Sequence, residues 1–300
     1  MRTMLVGLGR IGFRYSLSQV QDNVIETHYS AVNQAGMTVV FGCDRNTTCV
    51  YEFEKSTGVT SSTSIKPGKF LRPEILVVSS STDSHLEVLE ELYSESFNLQ
   101  VLVLEKPLGK NYRESKRIIE LASLISEKTY INYSRQYSRG YKDFKLAAEK
   151  LGKPRKILIS YSKDLLSNGS HFLRLALDFI GDNIKVEEIT LNIIEQKEIF
   201  PSFTFKIGDI LVYMIYTEES FRDFSITIFY SNRVIRFFDE TIYYGNLGKV
   251  TNFKLNGGIS GLYADIQNAT SSKIELQNEI EKALVVSFII DQATLRSSKS

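Results

Sequence analysis

Three glycines near the start of the chain, Gly7, Gly9 and Gly12, stand in G-x-G-x-x-G spacing within VGLGRIG. That spacing suits a turn that brings main chain against a dinucleotide's pyrophosphate. The first glycine permits the tight turn, the second lets the phosphates approach, and the third lets the following helix pack on the strand. Arg10 and Ile11 lie inside the turn and are read as part of it. A helix starting there would add unpaired N–H groups and a favourable dipole. A second apolar run, MTVVFGCD, ends at Asp44. An acid at that place accepts from both adenosine ribose hydroxyls, which favours NAD. Asp44 follows Gly12 by 32 residues, against about 20 in the usual arrangement. The segment SLSQVQDNVIETHYSAVNQAG absorbs the difference as a loop plus a helix. The other reading of Asp44 is an acid capping the next helix. Arg45 follows at once and could stack on adenine or meet a 2′-phosphate, so NADP stays open.

A third feature is LVLEKPLGKN, residues 102–111. A run suited to a buried strand ends in Glu105, Lys106 and Pro107. Proline cannot sit inside a ladder, so the strand ends before it. It also restricts Lys106 to extended or turn geometry. Glu105 is placed to position or charge-balance the amine. The plainer reading is a surface lysine after a strand. Of the three histidines, His171 stands near the start of a helix, His85 in the first turn of another, and His28 on the inserted segment, where no role is assigned. His85 either steadies a loop beside the cofactor or simply caps and packs. With Cys43 and Cys49, these histidines show no metal-ligand spacing, and no metal is expected.

Elements that would position these residues follow from the hydrophobic pattern. Residues 1–118 alternate short apolar runs with amphipathic helical segments, the signature of a parallel sheet with helices on both faces. In such a sheet ligands bind outside the carboxyl ends of the strands. Ser80, Thr82, His85, Glu105, Lys106 and Pro107 all fall on loops leaving those ends and are expected to contact the cofactor. From about residue 119 the pattern changes. A short strand at 129–133, a helix around 139–150, a strand in PRKILISYSKD and a helix from Gly169 or Ser170 precede a series of β-rich segments. There Phe224, Ile226, Ile228 and Tyr230 alternate with Ser225, Thr227 and Phe229, a half-buried antiparallel pattern. The division expected is 1–118 and 119–300. A last helix, at about 273–297, would run alongside the first domain. So much apolar surface on a sheet face suggests a subunit contact, and two-fold dimers are the commonest solution.

The totals narrow the class. The 300 residues carry a net charge of +1, with 43% hydrophobic and 24% charged residues. That balance is globular and lacks the clustered basic charge that grips nucleic acid. No apolar stretch approaches the roughly 20 residues of a membrane span. The glycine turn comes too early for a signal peptide, and two cysteines do not form an export framework. A cytoplasmic protein is expected.

The ordering of these pieces resembles the sugar and inositol dehydrogenase family that includes glucose–fructose oxidoreductase, the Gfo/Idh/MocA type. The matching pieces are VGLGRIG at 6–12, Cys43–Asp44, STDSH at 81–85, EKPLG at 105–109, INYSR at 131–135, GSHFLRLALDFIGD at 169–182 with Asn168 before it, and EKALVVSFIIDQA near the end. The resemblance implies an α/β fold: an N-terminal Rossmann domain binding NAD or NADP, and a C-terminal α/β domain with a large, open, predominantly antiparallel sheet. It implies that Lys106 binds and polarises a substrate hydroxyl and that His171 is the acid/base. Asn132, Arg135, Ser167 and Asn168 fall on substrate-binding segments. The chain departs from the pattern at Ser167, where many relatives carry Asp four residues before the histidine, and at Arg174, where relatives often carry Asp. Arg135, Arg139 and Arg174 could meet a phosphate or carboxylate if they face the cleft.

The chemistry implied is hydride transfer between nicotinamide and a secondary alcohol or ketone carbon of a sugar, cyclitol or nucleotide sugar. The protein then has one proton to move and one carbon to hold. A histidine with an ordinary pKa near 6.5 serves as base or acid, and an ammonium beside the same oxygen stabilises alkoxide charge. Two alternatives stand beside it. One is a noncatalytic dinucleotide-binding sensor or partner subunit, motivated by Ser167. The other is a nucleotide-sugar ketoreductase that retains its cofactor.

Overall fold

The computed structural model describes residues 1–17, 26–148, 151–182, 184–195, 200–217, 225–238, 241–246 and 249–297. It divides into two compact units. The first comprises Met1–Ser134 and Ile259–Ile280, the second Arg135–Gly258 and Glu281–Ser300.

In the first unit the chain runs β1 (Arg2–Val6), α1 (His28–Gln34), β2 (Thr38–Cys43), α2 (Thr47–Thr57), β3 (Ser61–Ser62), α3 (Lys66–Lys69), β4 (Ile75–Val78), α4 (His85–Ser94), β5 (Leu99–Glu105), α5 (Tyr112–Ile125) and β6 (Ser126–Asn132). The strands form one sheet in the order β3-β2-β1-β4-β5-β6, and every pairing is parallel. Reversal of direction beside β1 opens a crevice at the carboxyl ends of β1 and β4. All four residues of β4 are fully buried, as a strand covered on both faces requires. Each such aliphatic side chain contributes about 1.5–3 kcal/mol.

Local chemistry sets the helix ends. Asn46 and Asn111 cap α2 and α5 by accepting from the Thr48 and Glu114 N–H groups, each at 2.9 Å. Gly58 ends α2 in the left-handed region at φ 70°.

The second unit holds α6 (Arg139–Ala148), β7 (Lys156–Tyr161), α7 (Ser170–Ile180), β8 (Thr190–Glu195), β9 (Ser202–Ile207), β10 (Ile210–Tyr216), β11 (Ser225–Phe229), β12 (Val234–Phe238), β13 (Thr241–Asn246) and β14 (Lys249–Lys254). Its sheet runs β14-β13-β12-β11-β7-β10-β9-β8. Only β7 and β10 pair in parallel; the other neighbours are antiparallel. β12 alternates strictly, with Ile235 and Phe237 buried and Val234, Arg236 and Phe238 exposed. Two further helices, α8 (Gly258–Asn268) and α9 (Lys273–Ser297), complete the chain.

The α/β class and both sheet types agree with expectation. Residue 118, read as a domain boundary, lies inside α5, and the first unit runs on through β6 to Ser134. The strand expected at 129–133 is therefore the last of the parallel sheet. Gly258–Asn268, for which the sequence pattern predicts no element, forms α8, most of it in the first unit. Phe224 and the end of the helix expected at 139–150 lie outside the described residues. No described helix is long and apolar enough to cross a membrane.

Candidate functional site

The glycine turn is built as its spacing requires. Gly7 has φ +99°, and a Cβ there would lie 2.3 Å from the Ser80 backbone nitrogen. A Cβ on Gly12 would lie 2.1 Å from the Gly7 carbonyl oxygen, whereas one on Gly9 would meet nothing within 4 Å. The chain is thus closed around Gly7 and Gly12 and open above Gly9, which is the space a pyrophosphate needs. Ser79 Oγ donates to the Gly7 carbonyl at 2.7 Å and fastens the turn to the end of β4. We expect Gly9→Ala to change stability by less than about 0.5 kcal/mol, and Gly12→Ala to lower it by more than about 1 kcal/mol. Thermal unfolding of the two variants checks this.

No α-helix begins at the glycine turn. Gly9 O accepts from the Phe13 and Arg14 N–H groups, and a short 3-10 turn follows at Arg14–Leu17. α1 starts only at His28, and its first N–H groups donate to Ile11 O and Gly12 O, both at 3.0 Å. The turn therefore takes the place of a preceding helical turn, although Gly12 and His28 are far apart in sequence. This explains the long interval to Asp44. It also means that the α1 N–H groups are already used, so donors to an anion would come from the turn itself.

Asp44 is half-buried at the end of β2. Its Oδ2 accepts from Leu8 N–H at 2.7 Å and its Oδ1 from Asn46 N–H at 2.8 Å. Each carboxylate oxygen has further lone-pair capacity. The cap of α2 is Asn46, which sets aside the capping alternative for Asp44. Arg45 is exposed and ion-paired with Glu87 of α4. Thr82 opens a short 3-10 turn that leads into α4. His85 is buried between two carbonyls, with Nδ1 2.9 Å from Leu108 O and Nε2 3.1 Å from Ser80 O. It ties the loop after β4 to the loop after β5.

The Lys106–Pro107 peptide is cis. Beside it, Glu105 is the centre of a buried polar network. His28 Nε2 lies 2.8 Å from Glu105 Oε1, Asn132 Nδ2 donates to the same oxygen at 2.5 Å, and Lys106 N–H lies 3.3 Å from Oε2. On the far side of the ring, His28 Nδ1 is 2.7 Å from the Tyr263 hydroxyl of α8. Burial alone would raise the Glu105 carboxyl. The His28 hydrogen bond and electrostatic attraction, the Asn132 bond and the Lys106 ammonium together hold it below the ordinary value. Burial, with Glu105 nearby, keeps the Tyr263 phenol well above its ordinary value. Asn132 Oδ1 is buried with no hydrogen-bond partner among the described residues. Sequence reasoning missed His28 and Tyr263, whose partners are distant in the chain.

In the second unit, Asp164 caps a π-helical turn at Leu165–Gly169 that leads directly into α7. Its carboxylate accepts from Ser167 N–H at 2.5 Å and from the Ser167 hydroxyl. Asp164, Ser167, Asn168 and His171 are all half-buried. Arg135 places its guanidinium 5.3 Å from the ring centre of Phe172, beside His171 in sequence. Arg174 points elsewhere. It is fully buried and bonded to Asp178 at 2.9 Å, so it is not available to a ligand. Arg139 is exposed and pairs with Asp143 at 3.8 Å. Tyr133, Tyr137 and Tyr141 are buried. Among the described residues no group of three or more His, Cys, Asp or Glu could hold a metal ion.

A parallel sheet in this strand order, with a glycine turn after its first strand, defines the dinucleotide-binding fold. Including the second unit, the whole chain shares its fold with a group of solved oxidoreductases. UDP-N-acetylglucosamine 3-dehydrogenase GnnA from Acidithiobacillus ferrooxidans matches with a TM-score of 0.72 at 13% identity, over 98% of this chain and 99% of that one. The WlbA dehydrogenase from Bordetella pertussis, in complex with NADH and UDP-GlcNAcA, matches at 0.74 and 15%, over 100% and 96%. An oxidoreductase from Agrobacterium radiobacter, in complex with NAD+, L-tartaric acid and magnesium, matches at 0.74 and 12%, over 100% and 96%. No protein-family model matches the sequence, and no curated protein matches it.

Proposed function

We propose that the protein is an NAD(P)-dependent oxidoreductase acting on a secondary alcohol or ketone carbon of a sugar or sugar nucleotide. The observation that carries this reading is one sheet edge bearing two fitted parts. Of the turn's three glycines only Gly9 has open space above it, and the buried Glu105 network anchors Lys106 at the end of β5, one strand beyond β4. The similarity to GnnA, a sugar-nucleotide dehydrogenase, and to WlbA, a dehydrogenase bound to NADH and a sugar nucleotide, supports the substrate class.

Gly7, Gly9, Arg10, Ile11 and Gly12 would hold the pyrophosphate, and Asp44 the ribose hydroxyls. A carboxylate there disfavours a 2′-phosphate, so NAD is preferred to NADP. Arg45 is engaged with Glu87, which leaves it a weaker claim on such a phosphate. Ser80, Thr82 and His85 shape the loop beside the reacting end. The nicotinamide, when bound, accepts or supplies the hydride. Lys106 stabilises charge on the substrate oxygen. His171 takes the hydroxyl proton in oxidation and returns it in reduction. Asn132 Oδ1 accepts from a substrate hydroxyl, and Arg135, Ser167 and Asn168 bind the remainder. Ser167 lacks a carboxylate, but Asp164 brings one to its hydroxyl.

Nicotinamide-fluorescence titration with NADH and NADPH, followed by a sugar and sugar-nucleotide panel, tests the reading. Binding of NADH tighter than NADPH is expected, weakened at least about tenfold in Gly9→Ala, a loss of roughly 1.4 kcal/mol. Failure of both dinucleotides to bind would sink the proposal. A noncatalytic sensor is the second reading, favoured by Ser167 alone. It predicts cofactor binding without turnover of any panel member. A ketoreductase that retains its cofactor would instead carry it through purification. We also assign a homodimer through the open face of the second sheet, where Val234, Phe238 and Tyr243 are exposed. Light scattering at the monomer mass would remove it. Cys43 and Cys49 are both free and buried, which fits a cytoplasmic setting.

A further inference from the structure

His28 is fully buried, yet it is a polar ring at the first position of a short helix. Three contacts fix it. Its backbone N–H bonds Ile11 O in the glycine turn at 3.0 Å. Its Nε2 faces Glu105 Oε1 at 2.8 Å and its Nδ1 faces the Tyr263 hydroxyl at 2.7 Å. A carboxylate only accepts, so Nε2 carries the hydrogen whichever way the Tyr263 hydroxyl is turned. Glu105 is the residue before Lys106, and its second oxygen lies against the Lys106 N–H. One residue therefore links the turn after β1, through its backbone N–H, to the end of β5, through its ring, with α8 behind it.

We propose that His28, held from behind by Tyr263, is a positioning residue for Lys106. It fixes the orientation of the Glu105 carboxylate, and through it the placement of the Lys106 amine relative to the glycine turn. The inference rests on the reading of Lys106 as the group that polarises substrate, but its test does not require substrate. A ring serving only as packing would tolerate either amide replacement equally. The positioning role separates them, because Gln carries its nitrogen near the place of Nε2 and Asn near the place of Nδ1.

The experiment uses the full chain with its lysines reductively methylated by ¹³C-formaldehyde, and with the Lys106 signal assigned by its loss in Lys106→Arg. His28→Gln, which can still donate to Glu105, is expected to leave the Lys106 resonance at its wild-type position. His28→Asn, which keeps only the Tyr263 side, is expected to shift it. A resonance unmoved in both variants, or displaced equally in both, overturns the proposal. Should the Asn variant fail to fold, Tyr263→Phe carries the test by releasing the far side of the ring. A wild-type Lys106 resonance there also overturns it. NADH titration of the wild-type chain keeps the two ideas apart. Absence of binding with the Asn/Gln difference intact removes the oxidoreductase reading alone, and binding without that difference removes the positioning role alone.

Discussion

Replacing Lys106 with methionine is expected to lower turnover by roughly 10²-fold or more, with the NADH dissociation constant changed by less than about threefold, under 1 kcal/mol. Methionine keeps the unbranched apolar stem and removes the ammonium. The strand end should survive the change. Glu105 retains its bonds to His28, Asn132 and the backbone N–H of residue 106, so no buried carboxylate is left without donors. What disappears is the positive charge beside the oxygen whose proton leaves. Charge stabilisation of that kind acts in the transition state and not in the ground state, so the loss falls on kcat more than on KM. Steady-state kinetics with the substrate found in the sugar panel, beside a fluorescence titration of NADH, give both quantities. Full activity in Lys106→Met would exclude the amine from the chemistry. Weakened NADH binding in step with turnover would instead make it a cofactor ligand.

The parts of this site that are legible in the sequence are those where backbone geometry restricts residue type. Gly7 needs a positive φ and Gly12 has no room for a Cβ, so both must be glycine and their spacing is visible. Pro107 marks a strand end because it cannot donate to a ladder. His28 carries no such mark. Its partners Glu105 and Tyr263 are 77 and 235 residues away, and nothing in the inserted segment distinguishes a buried ring from a solvated one. The sequence pattern does not show that β6 belongs to the first sheet, because the strand opens with Ser126, Glu127 and Lys128, an unusually polar start for a parallel strand. The insertion hid the continuation of the glycine turn into α1, since hydrogen bonds from His28 and Tyr29 span it without any local signal. Arg174 is the instructive error. As a cation near His171 it suggests a ligand contact, yet Asp178 stands four residues on, the spacing of a helical ion pair. The fold adds Lys282 from α9, a partner that no local pattern discloses.

That buried cluster gives the largest stability effect expected. Asp178 accepts from Arg174 Nη1 at 2.9 Å, Lys282 Nζ at 2.8 Å and the Tyr141 hydroxyl at 2.6 Å. Lys282 also meets Asp182 at 2.8 Å. Replacement of Asp178 with Asn keeps the shape but leaves Arg174 and Lys282 buried against a neutral amide. Removing one partner of a buried ion pair costs about 3–5 kcal/mol, because the remaining charge is uncompensated. In a unit of this size that corresponds to a fall in thermal midpoint of order 10 °C. The pH dependence has a definite sign. Burial would raise the Asp178 carboxyl, but the charges of Arg174, Lys282 and Lys145 overcome it and hold the carboxyl far below its ordinary value. A depressed folded pKa gives stability that is complete above the unfolded carboxyl's pKa, near 3.9, and is lost as pH falls toward the folded value. The gap between wild type and Asp178→Asn should therefore be constant from pH 7 to about 5 and narrow below about 4. Thermal melts at neutral and acid pH measure it. A gap below about 1 kcal/mol at pH 7, the size of a surface pair, would mean that the cluster is solvated and contributes little. A gap that persists undiminished into strong acid would mean that the loss arises from shape and not from the carboxylate charge.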